Sequence, residues 1–195
     1  MYKNILITKL GKIADVQFGL YQKKEMEGSV KYLTSSHFDD DLNPTLFENS
    51  FVKLENKDNK FLLKSNDIIL AGKGQRIFAW AYEEKFGKVI PSSLFYIIRT
   101  DENQVNGHYL ATILNSSKKQ YELTLLGSGS SMISITKKEL LDLEIALPPL
   151  EEQKKIVKIS KLLDEEISIT SQILEKKRMF KQGVLNKLIT NKTKL

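Results

Sequence analysis

The chain lacks cysteine altogether and has only two histidines among its 195 residues. The first absence excludes disulfides, thiolate zinc sites, iron–sulfur clusters and cysteine nucleophiles, and the second argues against a histidine-built metal cluster. No apolar run approaches the roughly 18 residues of a membrane-spanning helix, and residues 1–8 lack the apolar core and cleavage site of a signal peptide. We therefore expect a cytoplasmic protein that does not enter a membrane.

Positive charge is concentrated in one part of the chain. The net charge is +6 at neutral pH. Residues 1–150 hold 19 basic and 18 acidic side chains, whereas residues 151–195 hold 11 and 6, so the C-terminal segment carries most of the excess. A polyanionic partner such as nucleic acid is one interpretation of this excess, and a solvated basic tail is the other.

The pattern of residues 1–150 predicts a mixed domain of the α+β class. Apolar residues at 10, 13, 14 and 16 predict a short amphipathic helix over residues 9–16, closed near Gly19. Short β-branched or aromatic segments predict strands at residues 30–34, 50–54, 67–71, 77–82, 94–99, 132–135 and 143–147. Helices are predicted at residues 107–115 and 117–125, with Gly127 as a C-terminal cap, and at 136–141 from the capping-box pair Thr136 and Glu139.

Residues 151–195 are predicted to form a second unit built on one long helix. Residues 151–189 contain no proline and repeat apolar side chains three or four positions apart, which at 1.5 Å per residue gives roughly 58 Å of helix. A stripe of this length needs another helix to cover it. The helix is therefore either half of an intermolecular coiled coil or breaks back on itself near residues 168–171. The residues selected for dimerisation are Ile159, Leu163, Ile173 and Phe180.

Few residue patterns point to chemistry. Asp67 with Glu83 and Lys85 resembles a metal-dependent nuclease pattern, but such matches arise by chance where 28% of residues are charged. We assign no catalytic residue and no metal ligand. Trp80 alternates with Phe78 and Tyr82, which places all three on one face of a strand and predicts core packing.

The loop at residues 71–76 is the main binding candidate. Its two glycines allow close approach of the backbone to a ligand, and its Lys, Gln and Arg side chains are types that pair with phosphates and base edges. The alternative is a hairpin with solvated charges, and the serines near residue 129 form either a phosphate nest or a flexible connector. The DNA-binding candidates are Lys73, Gln75, Arg76, Lys23, Lys24, Ser128, Ser130 and Lys137.

Several segments, taken in order, resemble the specificity (S) subunits of type I restriction–modification systems. They are LGKIADV at residues 10–16, YLT at 32–34, LKSNDIIL at 63–70, AGKG at 71–74, PSS at 91–93, GSGSS at 127–131 and IALPPLEEQKKIV at 145–157. The last of these resembles the family's junction between the recognition domain and its helix and is the most specific. Together the segments span the chain from residue 10 to the C-terminal helix.

The resemblance implies a division of labour. Residues 1–150 would be a target-recognition domain that reads a half-site in double-stranded DNA, and residues 151–195 a spacer helix that forms an antiparallel coiled coil. An S subunit has no chemistry or cofactor of its own. It docks modification subunits, which bind S-adenosylmethionine and methylate adenine, and restriction subunits join the complex. A usual S subunit has two domains and two helices, whereas this chain has one of each. It resembles a half-subunit that pairs with itself or with another S chain.

Two other functions stay open at this point. One is the small nuclease built on Asp67, Glu83 and Lys85. The other is a structural modulator, whose helix pairs with another S subunit without reading DNA.

Overall fold

The structure is a computed structural model that describes residues 5–40, 42–45, 49–127 and 133–192, with side chains up to Ile189. The chain divides into two compact units, Met1–Lys154 and Lys155–Leu195. The strands are β1 (Leu6–Lys9), β2 (Ala14–Phe18), β3 (Val30–Leu33), β4 (Phe51–Val52), β5 (Ile68–Ala71), β6 (Lys73–Gly74), β7 (Ala79–Ala81), β8 (Val89–Pro91), β9 (Phe95–Thr100), β10 (Ile133–Ser134) and β11 (Glu144–Leu147). The helices are α1 (Gly107–Leu114), α2 (Ser117–Leu126), α3 (Lys137–Asp142) and α4 (Leu150–Lys192).

An antiparallel sheet with the order β2-β9-β5-β7 forms the centre of the first unit. Both faces of β5 are covered, because Ile68 and Leu70 pack in a core with α1, whereas Ile69 and Ala71 pack in an aromatic core on the opposite side. This explains why β5 is a continuous apolar run without alternation. The predicted packing of Trp80 is confirmed, since it is buried in the aromatic core with Phe78 and Tyr82.

Three smaller sheets complete this unit. A sheet with the order β4-β3-β8 contains a parallel pair, in which β3 lies beside β8. Two-stranded ribbons join β1 to β11 and β6 to β10. The first ribbon brings the two ends of the first unit together. The second joins the loop at residues 71–76, called the glycine loop below, to the chain after residue 132.

Local capping signals place the helices where the sequence predicts them. Asn106 caps α1, and its side chain accepts a hydrogen bond from Tyr109 N at 3.0 Å. The capping box of α3 is present, because Thr136 Oγ1 accepts from Glu139 N at 3.2 Å and Glu139 accepts from Thr136 N at 2.8 Å. The predicted fold class, a mixed α/β domain followed by a long helix, is confirmed.

One local prediction is wrong. The helix predicted over residues 9–16 is a single 3-10 turn, Leu10–Lys12, followed by strand β2. Apolar residues at 10, 13, 14 and 16 fit both periods, and pairing of β2 with β9 decides for the strand. Gly127 caps the C-terminal end of α2 as predicted, with its backbone in right-handed helical geometry at φ −85°. Glycine is needed there because a Cβ atom would lie 2.3 Å from Ile133 Cγ2.

Helix α4 is continuous from Leu150 to Lys192, so the alternative of a break near residues 168–171 is wrong. At 1.5 Å per residue, its 43 residues span roughly 64 Å. Within the described part of the chain, no helix is both long and apolar enough to cross a membrane.

Candidate nucleic-acid interface

The glycine loop lies inside the hairpin formed by β5 and β7. The chain passes directly over the ring of Tyr96 at Gly72, where a Cβ atom would lie only 2.5 Å from Cε2 of that ring. Gly74 follows with φ +123°, a backbone conformation that favours glycine, and has open space around it. The two glycines therefore have different causes, a close approach to Tyr96 at the first and a left-handed turn at the second.

Pairing of β6 with β10 connects the glycine loop to residues 133 and 134. Gly74 lies opposite Ile133 and Lys73 opposite Ser134 in the register of this ribbon, and Ile135 N donates to Gly72 O at 2.9 Å. Lys137 is exposed at the start of α3, just beyond this ribbon. The candidates Ser128 and Ser130 lie outside the described residues.

Lys73 rests on an aromatic stack that sequence reasoning missed. Its ammonium lies 4.9 Å from the ring centroid of Phe18, and Phe18 stacks on Tyr96 at 4.5 Å between centroids. Tyr96 is fixed in turn, because its hydroxyl donates to Ile135 O at 2.7 Å and burial raises its pKa to about 12. Phe18 itself is 40% exposed. The only signal in the sequence is an aromatic residue at the end of an alternating segment, just before Gly19.

Arg76 binds the backbone of the turn that follows β3. Its guanidinium donates to Asp39 O at 3.0 Å and to Phe38 O at 3.2 Å, and it lies 3.7 Å from the carboxylate of Asp40. The side chain therefore fixes a surface loop, while its guanidinium stays partly exposed to solvent. Gln75, beside it, is exposed.

The charge of Lys24 acts on a residue of the same turn. Burial and the charge of Lys24 both lower the pKa of His37, whose Nδ1 accepts a hydrogen bond from Thr34 N at 3.0 Å. Lys23 and Lys24 are both exposed.

The nuclease pattern does not come together as a site. Asp67 is buried against Arg99, with its carboxylate 3.1 Å from Arg99 Nε, and it also accepts a hydrogen bond from Lys64 N at 2.9 Å. Burial raises the pKa of Asp67 in spite of these two partners. Glu83 forms a surface ion pair with Lys85 at 2.7 Å. Asp67 therefore has a structural role, and the described residues contain no group of three acidic or histidine side chains placed to hold a metal ion.

Residues 3–176 match the protein family described as the type I restriction modification DNA specificity domain. The chain belongs to this family. The expected resemblance to S subunits is thereby confirmed over most of the chain.

Specificity subunits are found among the relatives of this chain. A type I restriction enzyme MjaVIII specificity subunit from Methanocaldococcus jannaschii is 30% identical over 168 residues, which cover 86% of this chain and 36% of that protein. Among solved structures, the HsdS subunit from Thermoanaerobacter tengcongensis has a TM-score of 0.60 at 19% identity and covers 84% of this chain and 38% of its own.

A type I restriction–modification S subunit from M. genitalium has a TM-score of 0.61 at 15% identity, with 90% and 43% of the two chains covered. At these identities the two structures establish the fold. The specificity domain therefore spans about two fifths or less of the length of these three relatives.

The junction segment of the specificity domain is held by a buried glutamine. Gln153, in the first turns of α4, has no exposed surface. Its amide nitrogen donates to Gln104 O and to Pro148 O, both at 2.9 Å, and its amide oxygen accepts from Asn106 N at 2.8 Å. These bonds fix the start of α4 to the residues that begin α1. Gln153 lies within the family-like segment at residues 145–157, but its residue type gives no sign in the sequence that it is buried.

The second unit carries the four predicted dimerisation residues on one side of α4. At 100° per residue, Ile159, Leu163, Ile173 and Phe180 fall within an arc of about 100°. All four are about half exposed or more, from 48% for Ile173 to 74% for Phe180. Large apolar side chains at this density on a single helix are typical of a surface that another chain covers.

Proposed function

We propose that this chain is a DNA-recognition half-subunit of a type I restriction–modification complex. In this proposal the unit Met1–Lys154 reads one half-site of a bipartite target, and α4 pairs with the helix of a second S-type chain. The observation that carries the proposal is the glycine loop, where Phe18 holds the exposed side chain of Lys73 and the turn after β3 holds that of Arg76, in a member of the specificity family.

The loop offers two kinds of DNA contact. Lys73 presents an ammonium held over Phe18, which suits a phosphate, since phosphate contacts fix orientation without reading sequence. Arg76 presents the exposed part of a guanidinium whose other donors are occupied by loop carbonyls, which suits a fixed contact with a guanine edge or a phosphate. Lys23, Lys24, Gln75 and Lys137 are exposed as well and complete the set of candidate DNA contacts.

The charges of α4 favour an antiparallel pair. Residues 150–171 hold five acidic and four basic side chains, a net charge of −1, whereas residues 172–192 hold one acidic and six basic side chains, a net charge of +5. A parallel pair would place the two basic halves together. An antiparallel pair places each basic half against the nearly neutral half of the other helix, which lowers the repulsion.

The chemistry in this proposal belongs to the partners. The chain docks a modification subunit that binds S-adenosylmethionine and methylates adenine, and restriction subunits join the assembly. The chain itself is a non-catalytic subunit that needs no cofactor.

Methylation mapping in cells that carry this chain with its modification subunit tests the recognition role. A pair of identical half-subunits related by a two-fold axis must read two inverted copies of one half-site, separated by an unread spacer. Loss of Lys73 or Arg76 should reduce the salt dependence of DNA binding by about one counterion each if they contact phosphates. If Arg76 instead reads a guanine, its loss should relax one base position at a cost of roughly 1–3 kcal/mol. A continuous, uninterrupted target would contradict the half-subunit.

Sedimentation of the full chain tests the pairing of the helices. The protein should be a dimer at micromolar concentration, and Ile173→Glu should dissociate it. Gln172→Glu is the matched control, since this exposed position lies next to Ile173 but outside the apolar arc. A monomeric wild-type chain would contradict self-pairing. A dimer that supports no methylation would identify a modulator instead.

A further inference from the structure

Helix α4 carries a regular seam, defined here as the positions spaced alternately three and four residues apart from Ile156 to Lys187. The seam positions are Ile156, Ile159, Leu163, Glu166, Thr170, Ile173, Lys177, Phe180, Val184 and Lys187. All four predicted dimerisation residues belong to it. Such spacing keeps one stripe of a helix facing a partner helix along its length.

Two neighbouring frames compete with this seam. One shares Ile159, Glu166, Ile173 and Phe180 and adds Leu162 and Ile169, but it places Lys155, Lys176 and Gly183 at the contact and so holds five large apolar side chains against six in the seam. The other shares Ile156, Leu163 and Val184 and also holds six, but its two charged residues, Lys177 and Lys181, have the same sign. Among the three frames, the seam alone combines six apolar side chains, whose burial is the main gain in such packing, with charges of both signs.

Two seam positions hold opposite charges at equal distances from the centre of the seam. Glu166 and Lys177 are both exposed and lie on either side of Thr170 and Ile173. In an antiparallel pair of identical helices, each contact occurs twice by symmetry. Placing Glu166 of one copy against Lys177 of the other then pairs Leu163 with Phe180, Ile159 with Val184 and Thr170 with Ile173, while Ile156 meets Lys187 at the ends of the seam.

We propose that a second copy of this chain covers the seam in an antiparallel orientation, with Glu166 of each copy against Lys177 of the other, and that these two ion pairs set the orientation and register of the dimer. The proposal rests on the helix pairing in the proposed function and adds the identity of the partner, the register and the residues that select it.

The charges favour this antiparallel register over a parallel pair and over a shifted register. In a parallel pair, Glu166 would meet Glu166 and Lys177 would meet Lys177, so both layers would hold like charges. A shift by one heptad in an antiparallel pair would set each charge against an uncharged residue. Polar residues at single seam positions are known to specify register and orientation at some cost in stability. Glu166 and Lys177 meet that description, since apolar layers flank each of them.

Charge reversal tests the two pairs by sedimentation of the full chain. Glu166→Lys and Lys177→Glu should each weaken dimerisation roughly tenfold or more, because each places like charges together twice. The double variant should recover most of the loss. Glu165→Lys is the matched control: it makes the same charge change at an exposed position beside the seam and should have little effect. Rescue of Glu166→Lys by Lys176→Glu rather than by Lys177→Glu would overturn the proposed register, as would single variants that dimerise like the wild type.

Absence of cysteine provides a direct test of orientation. A mixture of Leu163→Cys and Phe180→Cys chains should form a disulfide-linked dimer under mild oxidation, whereas Phe180→Cys alone should not. Rapid cross-linking of Phe180→Cys alone would show a parallel pair and overturn the proposal. These outcomes are independent of DNA: methylation mapping can fail while the register holds, and the register can fail while the chain still directs methylation.

Discussion

Replacing Gln153 by alanine should destabilise the first unit more than is usual for glutamine, a residue type that mostly lies on protein surfaces. The side chain is fully buried and makes three hydrogen bonds, two from its amide nitrogen and one to its amide oxygen. At about 1 kcal/mol net for each bond, and with Asn106 N left buried without this acceptor, the loss should be about 2–4 kcal/mol. Typical domains are stable by only about 5–15 kcal/mol, so the effect is large.

Urea unfolding followed by tryptophan fluorescence measures this loss. Trp80 is the only tryptophan and is buried in the aromatic core of the first unit, so its emission reports on the unit that contains Gln153. The midpoint should fall in Gln153→Ala while the slope stays unchanged. All variants need the same protein concentration, because dimerisation contributes to apparent stability.

Gln172→Ala is the matched control, since this glutamine lies on the same helix but is exposed. Its effect should stay within about 0.5 kcal/mol. Gln153→Glu adds a second comparison: the carboxylate still accepts from Asn106 N but faces the carbonyls of Gln104 and Pro148 without a proton to donate. If Gln153→Ala unfolds like Gln172→Ala, the hydrogen bonds at the junction contribute nothing and the reasoning is refuted.

Three further changes have defined outcomes in the same unfolding assay. Thr136→Ala removes the capping side chain of α3 and should cost about 0.5–2 kcal/mol, whereas Thr136→Ser should retain most of the stability. Hydrogen bonds from Thr136 lower the pKa of Glu139. Ionised Glu139 therefore stabilises the fold above its ordinary pKa of 4.5, and this contribution disappears as the pH falls through the lower pKa of the folded state. Glu139→Gln should make the free energy of unfolding less dependent on pH over that acidic range, and an unchanged dependence would contradict this. Gly127→Ala places a methyl group 2.3 Å from Ile133 Cγ2 and should destabilise the contact between the end of α2 and β10, whereas an unchanged midpoint would show that Ile133 moves aside without cost.

Features that depend on neighbouring residues were predictable from the sequence. The capping box at Thr136 and Glu139 places α3 correctly because its signal lies within four residues. The long apolar repeat after Pro149 places α4 for the same reason. Strand β8 was missed because Pro91 indicates a turn, but the proline ends an edge strand whose partner, β3, lies far back in the chain.

The candidate site likewise has features that could be predicted from the sequence and features that could not. Its residue types could be predicted, since glycines with Lys and Arg indicate a loop that approaches phosphates. The positions of the side chains could not, because each depends on a segment distant in sequence. Lys73 rests on Phe18 from β2, and Arg76 binds carbonyls of the turn after β3. Arg76 therefore has a structural role besides any contact with DNA. Its replacement should be compared with that of Lys73, which has no such carbonyl partners among its described contacts.

A buried glutamine at the junction has a consequence that an apolar residue would not provide. Leucine at position 153 would bury a similar area, but apolar packing is non-directional and tolerates rotation of the helix. Hydrogen bonds to Gln104, Asn106 and Pro148 are satisfied together at one rotation of the first turn of α4. In the proposed function α4 spaces two recognition units, and such a helix needs a fixed start, because an error in its first turn grows with distance along roughly 64 Å of helix. The hydrogen bonds of Gln153 fix the rotation of the first turn within the first unit, and the proposed pairs of Glu166 with Lys177 would fix the register of the helix against its partner.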